Sequence, residues 1–174
     1  MCKVRNIKER DIRRVAEIHV KSWQVAYKDI LPQKMLDNLS IEQREESWRK
    51  NFLSKGARSN YVLEVANDVR GWISVGPSRD EDANEKNIGE LYGIYLDPRF
   101  YGMGYGTKLW HEARGHLRAE NFLEITLWVL DANERARKFY EKIGFSLDEG
   151  VAIEMDWMDG ARELRYRYRI NPGE

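Results

Sequence analysis

The sequence predicts a mixed α/β layer fold, with one main sheet and helices on both of its faces. Three observations predict it. Short stretches that read as strands interleave with longer amphipathic stretches that read as helices. The turn signals Asn67-Asp68 and Asp159-Gly160 each join two such strands. A glycine-rich turn, Gly102-x-Gly104-x-Gly106, stands directly between a strand and a helix. The 174 residues fit one domain, 1–174, long enough to bury a substantial core.

The elements follow in chain order. Val4–Ile7 reads as a first strand. Asp11 can cap a helix whose apolar face is Ile12, Val15, Ile18, Val20, Trp23 and Ala26, close to helical spacing, and Leu31-Pro32 breaks it. A second helical region runs to about Leu53, with Met35, Leu36, Leu39, Trp48 and Phe52 inward. Tyr61–Ala66 alternates like a strand, and Gly71–Val75 returns beside it. A polar loop over Gly76–Asn87 precedes the strand Ile88–Leu96, which leads into the glycine turn. The next helix turns Leu109, Trp110, Ala113 and Leu117 inward. Phe122–Leu130 is a strand, Asn133–Ile143 a short helix stopped by Gly144, and two strands flank Asp159-Gly160.

Composition excludes several classes. Lys plus Arg equals Asp plus Glu at 29 each, so no global field draws the chain to nucleic acid or an anionic membrane. Apolar residues at 42% and charged residues at 33% are ordinary for a globular protein with a solvated surface. The single cysteine, Cys2, rules out an internal disulfide and a cysteine-cluster zinc site. Met1–Arg10 is charged without an apolar core, and no run reaches the length of a membrane span, so a reduced cytoplasm is expected. His111 and His116 are five apart, off a shared helical face, and no metal site is expected.

The glycine turn is where chemistry enters. Glycine lets the main chain approach a ligand closely and take positive φ without penalty. The first N–H groups of a helix lack internal partners and carry the positive end of its dipole, which favours phosphate. Gly106-Thr107-Lys108 has the wrong order for a Walker loop, and Gly-x-Gly-x-Gly has the wrong spacing and position for a dinucleotide fold.

The run Gly89–Phe145 resembles the core of the GNAT superfamily of acyl-CoA-dependent N-acyltransferases. That family's phosphate loop reads Gln/Arg-x-x-Gly-x-Gly/Ala, and Tyr101, Gly104 and Gly106 stand at those places. Tyr101 departs from the usual Gln or Arg, a position that contributes mostly through its backbone. Leu127–Phe145 (LWVLDANERARKFYEKIGF) resembles the later family motif, and the aromatic-rich first helix is common in one large branch. The resemblance covers residues 89–145 closely and the rest loosely. It implies a mostly antiparallel mixed sheet of about six or seven strands and a cofactor-binding core over 88–145. It also implies acetyl-CoA as donor and a small-molecule or peptide amine as acceptor, attacked directly in a ternary complex. Exposed sheet edges in such folds often pair, so a homodimer is a further expectation. The alternative is a non-catalytic acyl-CoA-binding sensor or interaction module on the same fold.

The chemistry sets requirements of its own. An alkyl amine with a pKa near ~10.4 is neutral in about one molecule in a thousand at pH 7, which costs roughly 4–5 kcal/mol. A carboxylate can take the extra proton, and Glu90, opening the strand before the loop, matches a glutamate base found in several family members. Tyr140 matches the family's tyrosine beside the sulfur and would protonate the leaving thiolate. By the same resemblance Ile94, Tyr95 and Leu96 would contact the acetyl and pantetheine arm. Tyr101, Gly102, Met103, Gly104, Tyr105, Gly106 and Thr107 would hold the diphosphate, with Asn133 touching the cofactor or capping its helix. Trp23 and Tyr27 are candidate lining for the acceptor pocket, built from the first two helices and the last hairpin.

Other residues invite plainer readings. His19 suits a surface or packing role better than the acceptor pocket. Cys2 sits near a terminus, which disfavours an acyl-cysteine route. Asp80, Glu81, Asp82 and Glu85 outnumber Arg79 and Lys86 and read as a solvated loop before a cation lure. Arg162, Arg165, Arg167 and Arg169 alternate with apolar residues as on a half-exposed strand, and as a basic contact surface only second.

Overall fold

The computed structural model describes residues 2–54, 56–83 and 87–171. Glu85 and Lys86, named above with the acidic loop, lie outside the described residues. In chain order the elements are β1 (Cys2–Asn6), α1 (Ile12–Ala26), α2 (Gln33–Asp37), α3 (Ile41–Leu53), β2 (Ser59–Val65), β3 (Asp68–Pro77) and β4 (Ile88–Leu96). Then follow α4 (Tyr105–Ala119), β5 (Glu124–Leu130), α5 (Glu134–Lys142), β6 (Ser146–Met155) and β7 (Ala161–Arg169). No helix of the described residues is long and apolar enough to cross a membrane.

The strands form one seven-stranded sheet in the order β1-β2-β3-β4-β5-β7-β6, antiparallel at every junction except β4–β5. The two-residue alternation of the strands assigns the faces. Leu63, Ile73, Val75, Leu91, Leu127, Val129, Leu164 and Tyr166 pack under Leu109, Trp110, Ala113 and Leu117 of α4. On the opposite face Val62 and Trp72 meet Ile12, Val15 and Ile18 of α1 and Trp48 of α3. A third cluster joins Leu31, Leu36, Leu130 and Met158. The mixed α/β architecture with helices on both faces is therefore the one its sequence pattern predicts.

Three details differ from the sequence reading. Asp11 stands at the start of α1 but does not cap it with its side chain; its carboxylate accepts from the Lys8 N–H at 2.8 Å and from Arg5 at 2.6 and 3.0 Å. The second helical region is two helices, because the Ser40 hydroxyl accepts from the Gln43 N–H at 3.2 Å and starts α3 afresh. Asp80 and Asp82 are not a simply solvated loop, since both are bound to Arg165. The same contacts remove Arg165 from any basic contact surface, and Arg167 is likewise held by Asp148 and Glu124.

The feature that positions the site is a break in the sheet. β4 and β5 pair only at Ile88↔Glu124, Gly89↔Ile125 and Glu90↔Thr126. Beyond that point β4 runs on to Leu96 bonded to β3, and β5 runs on to Leu130 bonded to β7. A bulge contributes to the splay: Ser74 faces Gly93 and Val75 faces Leu91, which leaves Tyr92 as an extra residue on β4. The far end of β4 is pinned to α1. Ser22 donates to the Leu96 carbonyl at 2.7 Å, and buried Asp97 accepts from Arg14 at 2.6 Å and from Arg99 at 3.0 and 2.6 Å.

Candidate active site

A cleft of about 960 Å³ opens along this break. Of the residues the sequence singles out, Trp23, Tyr27, Glu90, Ile94, Tyr95, Leu96, Tyr101, Gly102, Gly104, Tyr105, Gly106, Thr107, Asn133 and Tyr140 line it together. Met103 is not in its walls, and its side chain is exposed.

At one end the chain leaves β4, turns at Asp97-Pro98 and enters α4. Gly104, the residue before α4, has φ +75°, and Gly102 has φ +77°. A side chain at either would be strained, yet a Cβ built there meets nothing within 4 Å, so the turn opens onto free space. Gly106 serves packing instead, since a Cβ there would stand 3.0 Å from the Phe139 ring. The N–H groups of residues 102–107 donate to no acceptor among the described residues. They form an unspent row of donors at a helix N-terminus, suited to an anion. The cleft walls also carry Arg135 and Lys142, and the Arg135 guanidinium lies 3.7 Å over the Tyr101 ring.

In the middle of the cleft, β4 and β5 leave their inner edges unpaired over 91–96 and 127–130. Tyr140 of α5 reaches this gap and is buried. Its hydroxyl makes no hydrogen bond with the described residues, and burial pushes it well above its ordinary range, with the Tyr95 hydroxyl adding to the effect. It is therefore a protonated donor at neutral pH. Asn133 caps α5 by accepting from the Ala136 N–H at 3.2 Å, and it also lines the cleft, so the two readings of this residue are compatible in space.

At the other end, on the α1 side of the sheet, lie the carboxylates. Glu90 is 1% exposed. Its Oε2 accepts from the Arg79 backbone N–H and Nε, each at 3.0 Å, and its Oε1 takes the Arg79 Nη2. The Tyr27 and Tyr95 hydroxyls lie 3.4 Å apart, both raised above the ordinary phenol range chiefly by burial. Trp23 stands edge-on to Tyr27 at 4.9 Å and stacked with Trp157 at 6.5 Å. His19 does not line this cleft; its ring stacks on Tyr95 at 5.1 Å and packs against Trp72 at 5.2 Å.

Sequence reasoning missed Arg79, Arg135, Lys142, Trp157 and Glu163, all in the cleft walls. Glu163 had a usable signal. Its strand alternates, and Leu164, Tyr166 and Tyr168 join the α4-side core, so Glu163 must face the other way. Arg79 had none, because its pairing with Glu90 depends on how the β3–β4 connection folds.

Known proteins resemble the chain in sequence and in fold. The model described as "Acetyltransferase (GNAT) family" matches residues 12–145. The chain is 32% identical over 134 residues to the uncharacterized N-acetyltransferase YuaI of Bacillus subtilis, covering 76% of this chain and 74% of that one. It is 26% identical over 170 residues to a probable N-acetyltransferase of Mycobacterium tuberculosis, covering 97% and 92%. Among solved structures, the PaiA N-acetyltransferase of Thermoplasma acidophilum in complex with coenzyme A matches in fold, with a TM-score of 0.75 at 19% identity over 98% and 99% of the two chains.

Proposed function

The chain belongs to the GNAT family of acetyltransferases, and we propose that it moves an acetyl group from acetyl-CoA to a primary amine by direct attack within a ternary complex. One observation carries this reading: a row of unbonded amides over 102–107 opens beside a gap in the sheet that Tyr140 overlooks. The amides fit a diphosphate, and the basic Arg135 and Lys142 add charge of the right sign. The unpaired edges of Ile94, Tyr95 and Leu96 fit an extended amide-bearing arm, which would complete the broken ladder. When bound there, the coenzyme supplies an acetyl group activated as a thioester.

The chain's own groups then divide the proton work. Tyr140 holds a proton beside the gap and gives it to the departing sulfur. Glu90 is a carboxylate on the acceptor side, but Arg79 already occupies both of its oxygens, so it serves as a relay reached through water. Trp23 and Tyr27 wall the acceptor end. The single cysteine supports a reduced, cytoplasmic setting.

The test is thiol release from acetyl-CoA with a panel of amines, run beside Tyr140→Phe. The variant is expected to lose ~100-fold in kcat, within the usual range for a general acid, while binding coenzyme A as the parent does. Equal turnover of parent and variant across pH would remove Tyr140 from the mechanism. Firm coenzyme binding without transfer to any amine would contradict the direct-attack reading.

A further inference from the structure

Among the described residues four carboxylates line the cleft: Asp80, Glu81, Glu90 and Glu163. Asp80 accepts from the Trp128 indole at 2.9 Å and from Arg165 at 3.3 Å. Glu90 is held by Arg79. Glu81 is exposed at the rim. Glu163 is half-buried and, among the described residues, its carboxylate accepts no hydrogen bond and forms no ion pair.

The position of Glu163 suits it to meet a cation. On β7 it pairs with Leu130 of β5 and Ile153 of β6, in the stretch of the sheet beyond the point where β4 and β5 part. It shares the sheet face of Leu130, the face covered by the Leu31, Leu36 and Met158 cluster. Burial raises its carboxyl above the usual range; the Arg79 charge opposes this and the Glu90 charge adds to it. The titratable groups facing it are Arg79 and Glu90 from the β3–β4 side, Tyr27 from the end of α1 and Tyr95 from β4. A half-buried carboxylate without a partner carries an unmet electrostatic demand, which a ligand cation can satisfy.

The surroundings restrict the cation. Trp23, Tyr27 and Trp157 pack together along the cleft, and Met155 and Met158 join them in its walls. Trp157 remains 58% exposed, a large apolar surface that a bound body would cover. The Arg44 guanidinium lies 5.8 Å over the Trp23 ring, so a positive charge already stands against this aromatic wall and disfavours a second ammonium group near it.

Resting on the transferase reading above, we infer that Glu163, with Trp23, Tyr27 and Trp157, forms the acceptor site for a monoamine carried on an apolar or aromatic body, and that Glu163 takes its proton. The ammonium N–H bond breaks, and the proton passes to a Glu163 oxygen and then, through the water relay assigned to Glu90, on to solvent. The freed lone pair makes the N–C bond as the C–S bond breaks. Tyr140 gives its proton to the leaving sulfur and regains one from the second proton that the new amide nitrogen sheds.

The experiment compares parent and Glu163→Gln with 2-phenylethylamine and spermidine as probes. Thiol release gives kcat/KM across pH. Calorimetry gives amine affinity for the coenzyme A-bound protein and coenzyme A affinity itself. The parent is expected to prefer 2-phenylethylamine by at least ~10-fold. The variant is expected to lose ~100-fold in kcat/KM with that amine, the scale of a lost general base, and to lose the rise of rate with pH that deprotonation of Glu163 produces. Its coenzyme A affinity should stay within about twofold of the parent's, a difference small against a tenfold step of 1.4 kcal/mol. A variant with parental rates and an unchanged profile overturns the proposal, as does a parent that prefers spermidine. A parent that binds coenzyme A but neither binds nor acetylates 2-phenylethylamine overturns it too and leaves the cofactor reading standing. Failure to bind coenzyme A at all would instead sink the transferase reading for this cleft. Should the variant also lose coenzyme binding through misfolding, the parent's preference between the two amines decides.

Discussion

Replacing Gly104 by alanine separates backbone strain from phosphate contact, because the structure contains a matched control. Gly104 has φ +75° and Gly150 has φ +78°, and a Cβ built at either meets nothing within 4 Å. Neither substitution creates a clash, so each carries only the cost of a left-handed conformation, about 1–2 kcal/mol. A stiffer unfolded chain returns about 0.4–1 kcal/mol. The net loss is about 1 kcal/mol for each variant, or about 2–4 °C in Tm for a chain of this size. Gly150 lies on β6 outside the cleft walls, whereas Gly104 opens the row of free amides. Loss of one hydrogen bond to a charged phosphate costs about 1.5–3 kcal/mol. Coenzyme A should therefore bind Gly104→Ala about 10- to 150-fold more weakly and Gly150→Ala as it binds the parent. Thermal unfolding and calorimetric titration read the two effects separately. Parental affinity in Gly104→Ala, or equal weakening in both variants, would refute the reasoning.

Two further predictions concern the groups that hold the acceptor side and the end of β4. Burial, with some help from the Arg44 charge, pushes His19 down to about 3. Its unfolded value is near ~6.5, so the unfolded chain binds a proton that the native ring refuses, and stability falls as pH falls below ~6.5. The loss attributable to this residue is about 2 kcal/mol between pH 7 and 5, and chemical denaturation of His19→Phe should show a pH slope shallower by that amount; parallel slopes would contradict it. Asp97 is held well below the usual carboxylate range by Arg99 and by Arg14, against the opposing effect of burial. Its contribution is therefore present above the unfolded value of ~3.9 and lost as pH falls toward the lower folded value, so Asp97→Asn should cost about 2–3 kcal/mol at pH 7 and less at pH 3. An equal cost at both pH values would count against the ion-pair account.

What the sequence made legible depends on how far its determinants lie apart along the chain. The glycine turn, the Asn133 cap and Tyr140 fall within short motifs whose geometry is local, and the structure places them around one cleft. The inward residues of α4 follow from helical spacing, and Leu109, Trp110, Ala113 and Leu117 are all buried. The break between α2 and α3 was also local, since Ser40 followed by Gln43 is a capping pattern. The gap itself was legible only through the family resemblance, which implies two neighbouring strands that splay apart, and not from the residues. It consists of pairs that β4 and β5 do not make beyond Glu90 and Thr126, and no residue type encodes a missing pair. The charge arrangement was hidden for a different reason. Arg165 meets Asp80 and Asp82 across 85 and 83 residues of chain, so two aspartates that count as a solvated acidic run in sequence are paired in space. Glu163 carries the converse lesson: it lies in an arginine-rich strand, yet it is a half-buried carboxylate facing the cleft with no partner among the described residues.

A titration of isotopically labelled protein with acetyl-CoA, followed amide by amide, tests the central claim most directly. The account predicts the largest shifts at Gly102 to Thr107 and along Ile94 to Leu96, saturating together, with no comparable response to ATP or NAD. Shifts confined to another surface, or an unmoved row at 102–107 under saturating acetyl-CoA, would contradict it.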